Sequence, residues 1–161
     1  MNVEVENSIS LFLEKVSNCG RVATLEEINS LNQNCEGIVP NWYAELLLKY
    51  PLCGLELSWQ QFEPEGDFDG ISSMEWSSPE TIQGLMLECY PGVAIYKQGY
   101  LNVAFDLTGS GDDYFINVNE GENPRVLQVF HDTSENYEVI IKEGIDIVAE
   151  SLSEFFRNVK F

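Results

Sequence analysis

Three helix-like segments occupy the first third of the chain, and short strand-like segments separated by turns fill most of the remainder. In the first third apolar residues recur at spacings of three and four, whereas after residue 53 they mostly alternate with polar residues. No β-α-β alternation is present, so the strands are expected to pair as antiparallel neighbours. This order predicts an α+β fold with a single domain spanning residues 1–161. In it, N-terminal helices and a C-terminal helix pack on one mainly antiparallel sheet.

Side-chain signals predict where the first helices begin and end. The first helix is predicted over residues 5–17, where apolar residues share one face. Thr24 and Glu27 have the spacing of a capping box and open the second helix. The third helix is predicted to begin at Pro40 and to end before Pro51.

The remaining elements are predicted from alternation, turns and one further apolar stripe. Ser78 and Pro79 are typical of a helix start and predict a short helix through about residue 87. The last helix is predicted from Ile145 to Val159, where apolar residues form a wide stripe. Strands are predicted at 54–59, 71–76, 93–97, 100–106, 113–119, 125–131 and 137–141.

The charge of the chain predicts the sign of its partners. The chain has 27 acidic and 8 basic residues and a formal net charge of −19, and between Lys49 and Arg125 a single base, Lys97, stands against thirteen acids. Such a chain repels nucleic-acid phosphates, which are bound through Lys and Arg. Because 44% of the residues are hydrophobic, the acidity does not indicate a disordered chain. We therefore expect a basic protein partner and no nucleic-acid partner.

The chain lacks the sequence signals of membrane insertion, secretion and structural zinc. No apolar run reaches the roughly 18 to 20 residues of a membrane span. The N-terminus is acidic where a signal peptide is basic, so we expect a cytoplasmic protein without membrane contact. The four cysteines form no Cys-x-x-Cys pair, and the single His131 completes no zinc pattern. Reduced cysteines that serve mostly as small core residues are expected.

An acid-rich segment at residues 60–70 is predicted to be an exposed loop, with its acids alternating along an extended chain. It is interpreted either as a solvated surface or as an electrostatic docking surface for a basic partner. Trp59 and Trp76 flank it, and aromatic residues rimmed by charge are typical of binding hot spots. For each tryptophan by itself, core packing is the favoured interpretation and partner contact is the alternative. The predicted partner-binding residues are Trp59, Glu63, Glu65, Asp67, Asp69 and Trp76.

Two further patterns resemble chemical sites. Asp106, Thr108, Ser110 and Asp112 have the spacing of the first ligands of an EF-hand loop, but Asn117 stands where a bidentate Glu is required. We interpret this segment as a hairpin turn, with weak cation binding by Asp106 and Asp112 left open. The pair His131-Asp132 lacks a recognisable nucleophile, so it is interpreted as a local turn rather than as a catalytic base.

Several motifs occur together in an order that is found in one family. They are Thr-Leu-Glu-Glu at 24–27, Ile-Val-Pro-Asn-Trp-Tyr at 38–43, Glu-Leu-Leu-Leu-Lys-Tyr at 45–50, Gly-Tyr-Leu-Asn-Val-Ala-Phe-Asp at 99–106, Tyr-Phe-Ile at 114–116, Val-Phe-His-Asp at 129–132 and Ala-Glu-Ser-Leu-Ser-Glu-Phe-Phe at 149–156. Over about residues 24–158 the chain resembles the SUKH superfamily. This superfamily contains bacterial toxin-immunity proteins and is related to the yeast cell-wall-synthesis regulators of Smi/Knr type.

The resemblance implies an α+β fold with helices packed on one antiparallel-rich sheet, and a function by binding. A protein of this family is expected to neutralise a cognate bacterial polymorphic toxin, and the acidity of the chain fits a basic nuclease domain. The family shares no catalytic residues, so no enzymatic activity, cofactor or metal is expected. The alternative is a regulatory or scaffold module of the same fold without a toxin partner. The oligomeric state is left open.

Overall fold

A six-stranded sheet forms the centre of the structure, a computed structural model that describes residues 1–160. Its strands are β1 (Glu56–Gln60), β2 (Ile71–Trp76), β3 (Tyr100–Asp106), β4 (Tyr114–Asn117), β5 (Val126–Val129) and β6 (Ile145–Ala149). Each strand pairs antiparallel with the one before it, so the order across the sheet is the order along the chain. The predicted α+β class and the antiparallel sheet are confirmed.

Within residues 1–160 seven α-helices accompany the sheet. They are α1 (Val3–Leu13), α2 (Leu25–Asn34), α3 (Asn41–Lys49), α4 (Pro79–Leu87), α5 (Gly92–Ile95), α6 (Tyr137–Glu143) and α7 (Leu152–Asn158). Helix α1 packs against α7, and α2 packs against α4. Each of these helices is too short or too polar to cross a membrane.

The predicted capping signals are confirmed. The Thr24 hydroxyl accepts a hydrogen bond from the Glu27 N–H at 3.2 Å, and the Glu27 carboxylate accepts one from the Thr24 N–H at 2.8 Å. Ser78 caps α4 by accepting from the Thr81 N–H at 3.3 Å. Pro40 is the residue before α3 rather than its first residue. The side-chain caps at Thr24 and Ser78 satisfy amides that have no partner inside the helix.

Both faces of the central strands carry buried hydrophobic side chains, so the protein has two cores. On β4, Tyr114 and Ile116 face a larger core that lies beneath α1 to α4 and α7, whereas Phe115 between them faces a smaller core. The smaller core also contains Leu127 from β5 and Ile140 from α6. Because side chains alternate between the two faces of a strand, each of these short strands contributes apolar side chains to both cores.

The prediction of a strand over residues 93–97 is wrong. These residues form α5 and a 3₁₀ turn at Tyr96–Gln98, which ends at Gly99 with φ of +93°. Ile95 is fully buried in the smaller core. A short apolar run fits a strand or a helix equally well, and here a helix covers the face of the sheet that would otherwise be exposed.

The strand predicted over residues 137–141 is also wrong. This segment belongs to α6, which Asn136 caps by accepting from the Glu138 N–H at 2.8 Å. The helix buries Ile140 in the smaller core, while Tyr137 is 40% exposed. The apolar positions therefore follow helical rather than strand geometry.

The C-terminal helix begins later than predicted. Residues 145–149 pair with β5 as strand β6, and α7 begins at Leu152 after the cap Ser151, whose hydroxyl accepts from the Glu154 N–H at 3.1 Å. Pairing with β6 satisfies the backbone groups on one side of β5, which would otherwise be buried without partners. Strands β4 and β5 are also shorter than the predicted 113–119 and 125–131.

The four cysteines form no disulfide bonds. Cys35 and Cys53 are buried in the larger core, as expected for small apolar residues, whereas Cys19 and Cys89 are exposed. Burial raises the pKa of the Cys53 thiol to about 11, so this group is a neutral thiol at physiological pH.

Candidate partner-binding surface

The acidic segment between β1 and β2 is an exposed loop, as the sequence predicts, but it is not extended. The Phe68 N–H donates to the Glu65 carbonyl at 3.4 Å, and Gly66 has φ of +62°. At the base of the loop Gly70 is buried with φ of +77°, and a Cβ there would lie 2.9 Å from Cβ of Pro64. A residue without a side chain is therefore required. The loop folds into a turn, so its acids do not alternate along a strand as predicted.

No basic residue neutralises the carboxylates of this loop. Residues 62–69, which we call the acidic loop, contain Glu63, Glu65, Asp67 and Asp69, and all four are exposed. None of them takes part in an ion pair within residues 1–160, because the paired bases contact acids elsewhere. A concentration of uncompensated charge of one sign attracts a partner of the opposite sign.

Two phenylalanines of the acidic loop are exposed to water. Phe62 is 95% exposed and Phe68 is 47% exposed. Exposed aromatic rings among charges are typical of protein-binding surfaces, where burial of each ring contributes about 1.5 to 3 kcal/mol. The sequence-based prediction missed both residues. The sequence feature that could have identified them is an aromatic residue within a predicted loop, where the neighbouring apolar residues show neither helical nor strand periodicity.

Trp59 lies at the border between the core and the surface. Its side chain is half-buried, and its indole N–H donates to the Tyr114 hydroxyl at 3.0 Å. The two rings meet edge to face, at an interplanar angle of 90° and a centroid distance of 6.1 Å. Trp59 is thus held in a defined orientation while part of its ring is open to a partner.

Trp76 is removed from the predicted partner-binding residues because its side chain is fully buried. It packs on Phe156 at a centroid distance of 5.2 Å and on Phe155 at 6.1 Å, both from α7. Core packing, the interpretation favoured for each tryptophan from the sequence, is the one that the structure supports for this residue. Only one of the two flanking tryptophans can therefore contact a partner in this conformation.

A groove of about 410 Å³ lies between the end of β1 and strand β6. Trp59 and Phe62 line it from the β1 side, residues 147–149 line it from β6, and Glu154 and Phe155 line it from α7. No Lys or Arg is among its described lining residues, and Glu154 is the charged one. We call this cleft the Trp59 groove. Because Phe62 belongs to both, the groove and the acidic loop form one continuous surface.

The β3–β4 hairpin holds a second group of acids, and these bind groups of the protein itself. The Asp106 carboxylate accepts from the Ser110 N–H and from the Thr108 hydroxyl, each at 2.8 Å. The Asp112 carboxylate accepts from the His131 N–H at 3.0 Å and lies 2.8 Å from Nδ1 of the same residue. Within residues 1–160 no three His, Cys, Asp or Glu side chains are grouped so that they could hold a metal ion.

The hydrogen-bond partner of His131, which follows β5, is Asp112 before β4 and not the adjacent Asp132. The hydrogen bond with Asp112 raises the pKa of His131. Next to this pair Asp113 is buried, and its carboxylate accepts from the Asp106 N–H at 2.9 Å. Burial raises the pKa of Asp113 to about 6. Two neighbouring groups, His131 and Asp113, therefore have raised pKa values.

Comparison of the chain with known proteins gave no relative that names its function. No protein-family model matches, and no significant match was found among curated proteins or among solved structures. The likeness to the SUKH superfamily stays a prediction from the sequence motifs.

Proposed function

We propose that this chain is a SUKH-like immunity protein that binds and neutralises a cognate bacterial toxin in the cytoplasm of the producing cell. The proposed toxin is a basic nuclease domain, and the contact is made through the acidic loop. The observation that carries the proposal is this loop, which combines four exposed carboxylates that form no ion pair within residues 1–160 with exposed Phe62 and Phe68.

The chemistry of a nuclease explains why such a surface would inhibit it. A nuclease holds its substrate by placing Lys and Arg against phosphates. An acidic protein surface can occupy the same basic site and exclude the nucleic acid. The carboxylates would accelerate the encounter and orient the two proteins, while Phe62, Phe68 and Trp59 would supply apolar contact that slows dissociation.

Affinity purification from cells of the source organism, followed by mass spectrometry, tests the proposal. Purification at low salt and at about 0.15 M salt distinguishes charged contacts, because the Debye length shortens to about 8 Å at the higher concentration. We expect capture of a protein with a basic toxin domain, more strongly at low salt. Capture of partners without a toxin domain would contradict the proposal and favour the regulatory or scaffold alternative.

A pair of charge variants then tests the role of the acidic loop. The loop variant carries Glu63→Gln, Glu65→Gln, Asp67→Asn and Asp69→Asn. The control carries Glu14→Gln, Glu88→Gln, Glu135→Gln and Glu143→Gln, which removes the same charge from exposed acids without ion pairs.

We expect the loop variant to associate with the captured toxin roughly tenfold more slowly and with a weaker dependence on salt, since local steering is lost. The control is expected to change the rate less than about threefold, because separated charges are largely screened. Equal effects of the two variants would mean that total charge, and not the loop, governs binding.

A further inference from the structure

Within residues 1–160 the outer edge of β6 has no backbone partner, whereas the other edge of the sheet is partly covered. On β1 the Ser58 N–H donates to the Lys160 carbonyl at 3.0 Å, and the Lys160 N–H donates back at 2.6 Å. No comparable backbone bond reaches β6 on the side away from β5 within the described part of the chain. An unpaired strand edge is a template for an additional strand.

One hydrogen bond shows which backbone groups of β6 face outward. The Phe130 N–H donates to the Gly144 carbonyl at 2.9 Å, directly before the two strands pair, and this bond sets the phase of the ladder. Hydrogen-bonded and non-hydrogen-bonded positions alternate in an antiparallel pair, so Asp146 is the residue that bonds to β5. Ile145 and Ile147 therefore direct their N–H and carbonyl groups away from the sheet.

The free edge borders the acidic surface already described. Ile147 is 49% exposed and lines the Trp59 groove together with Phe62. A strand added to β6 would turn alternate side chains toward this groove. The charged residue that lines the groove is the acidic Glu154, and the acidic loop begins at Phe62.

We propose that the outer edge of β6 binds an extended segment of the partner protein as a seventh strand, and that this segment alternates basic with apolar residues. The Lys or Arg side chains of the segment point toward the Trp59 groove, near Glu154 and the acidic loop, and its apolar side chains lie on the opposite face of the added strand. Main-chain hydrogen bonds to Ile145 and Ile147 hold it in place. The inference rests on the proposed function, because the segment belongs to the same basic partner.

Charge argues against a second copy of this chain as the occupant. Two copies would each carry a net charge of −19. Edge-to-edge pairing would also place the exposed Asp146 of each copy in the junction, and like charges on paired strands are destabilising. A basic segment removes both penalties.

Two model peptides and two variants test the inference by fluorescence anisotropy. The labelled peptide Lys-Val-Lys-Phe-Lys-Val-Lys can extend β6, whereas Lys-Pro-Lys-Phe-Lys-Pro-Lys has the same charge but lacks amides that a strand needs. Ile147→Pro removes the outward N–H and leaves the bonds to β5 intact, since proline is tolerated at an edge position whose N–H faces solvent. Ile147→Ala removes the same side chain but keeps the N–H.

We expect Ile147→Ala to bind the valine peptide more weakly than the wild type, because its side chain lines the groove, and Ile147→Pro to bind roughly fivefold or more weakly than Ile147→Ala, as for loss of a backbone hydrogen bond. The proline peptide is expected to bind all three proteins equally weakly. Equal affinity of the valine peptide for Ile147→Ala and Ile147→Pro would overturn the inference, and so would failure of that peptide to bind the wild type. A wild-type dimer that Ile147→Pro converts to a monomer would identify a second copy as the occupant instead.

Amide hydrogen exchange of the wild type gives a readout that does not depend on the variant folding. The amides of Ile145 and Ile147 are expected to exchange more slowly when the valine peptide is bound, and unchanged exchange would contradict strand addition. If Ile147→Pro left the affinity for a captured toxin unchanged, this inference would be wrong, whereas the proposed function would stand. If the valine peptide bound at the β6 edge but the purification captured no toxin, the proposed toxin would be wrong and the strand-binding site would stand.

Discussion

The indole N–H of Trp59 on β1 donates a hydrogen bond to the hydroxyl of Tyr114 on β4, with a nitrogen–oxygen distance of 3.0 Å. Strands β2 and β3 lie between these two strands, so the contact requires a strongly curled sheet. The same curl brings β1 and β6, the first and last strands, to opposite sides of one groove. The hydrogen bond between Trp59 and Tyr114 thus holds the β1 side of the candidate surface in place.

Replacing Tyr114 by Phe tests this contact. The change keeps the edge-to-face packing but removes the acceptor used by Trp59 and, at 3.3 Å, by the side-chain amide of Gln128. We expect the free energy of unfolding to fall by about 1 to 2 kcal/mol, because buried donors lose their partner. Urea unfolding of Tyr114→Phe, Trp59→Phe and the double variant measures the coupling. Additive effects would show that the hydrogen bond contributes nothing.

Tyr43 offers the opposite case, a buried hydroxyl whose removal is expected to be harmless. Neither this hydroxyl nor the indole N–H of Trp76 has a hydrogen bond of good geometry among residues 1–160. Burial raises the pKa of Tyr43, and the nearby Trp76 N–H offsets this only in part.

We therefore expect Tyr43→Phe to change the free energy of unfolding by less than about 1 kcal/mol or to increase it, since a poorly satisfied polar group is lost. As a control, Tyr43→Ala is expected to cost about 3 to 5 kcal/mol through the cavity it leaves. Urea unfolding measures both variants. A cost for Tyr43→Phe close to that of Tyr43→Ala would show that the hydroxyl has an essential partner.

Asp113 is expected to make the protein less stable as the pH rises. Burial raises its pKa to about 6 from an ordinary value of 3.8, so the folded state keeps the proton over a range in which the unfolded state has lost it. Stability from this group is therefore complete below about pH 4 and is lost as the pH rises through about 6. His131, whose pKa is raised by Asp112, contributes with the same sign at higher pH.

Asp113→Asn removes the titrating group but keeps an acceptor for the Asp106 N–H. We expect it to flatten the pH dependence of unfolding between about pH 4 and 6 and to raise stability at pH 7.5 by on the order of 1 kcal/mol. Urea unfolding of wild type and variant across this range measures the effect. The control His131→Gln should change the slope of the stability curve mainly above about pH 6, where the histidine loses its proton. Parallel curves for wild type and Asp113→Asn would contradict the account.

Glu27 combines a helix cap with an ion pair, and two substitutions separate these contributions. Its carboxylate accepts from the Thr24 N–H and pairs with the Arg21 guanidinium at 2.6 Å. The bond to Arg21 is the main reason that the pKa of Glu27 is lowered to about 2. Glu27→Gln keeps the capping contact and loses the ion pair, whereas Glu27→Ala loses both.

At pH 7 we expect Glu27→Gln to cost less than about 1 kcal/mol, because the pair is partly exposed, and Glu27→Ala to cost about 1 to 2 kcal/mol. The contribution of the ion pair is present above pH 4.5 and disappears as the pH falls to about 2, so wild type and Glu27→Gln should converge there. Urea unfolding at several pH values provides the comparison. Equal costs at pH 7 would mean that the cap contributes nothing.

Elements that are bounded by local side-chain signals were predictable from the sequence. Thr24 with Glu27 located the start of α2, Ser78 with Pro79 located the start of α4, and β2 has the predicted bounds of residues 71–76. Such signals involve residues a few positions apart, so a single sequence contains all of the information. The same kind of signal, Ser151 followed by Glu154, marks the start of α7, but the long apolar stripe before it favoured a single helix.

By itself the sequence determined the α+β class, the excess of acids and the exposure of the loop that carries four of them. Only the tertiary structure decided that Trp76 is buried while Trp59 borders a groove and that residues 145–149 form a strand. It also decided that the outer edge of β6 has no backbone partner among the described residues, 1–160. These outcomes depend on contacts between segments far apart in the chain. Apolar residues at 145–149 fit a helix or a strand, and the free side of β5 selects the strand. Local periodicity shows which residues avoid water, but not which neighbour will cover them.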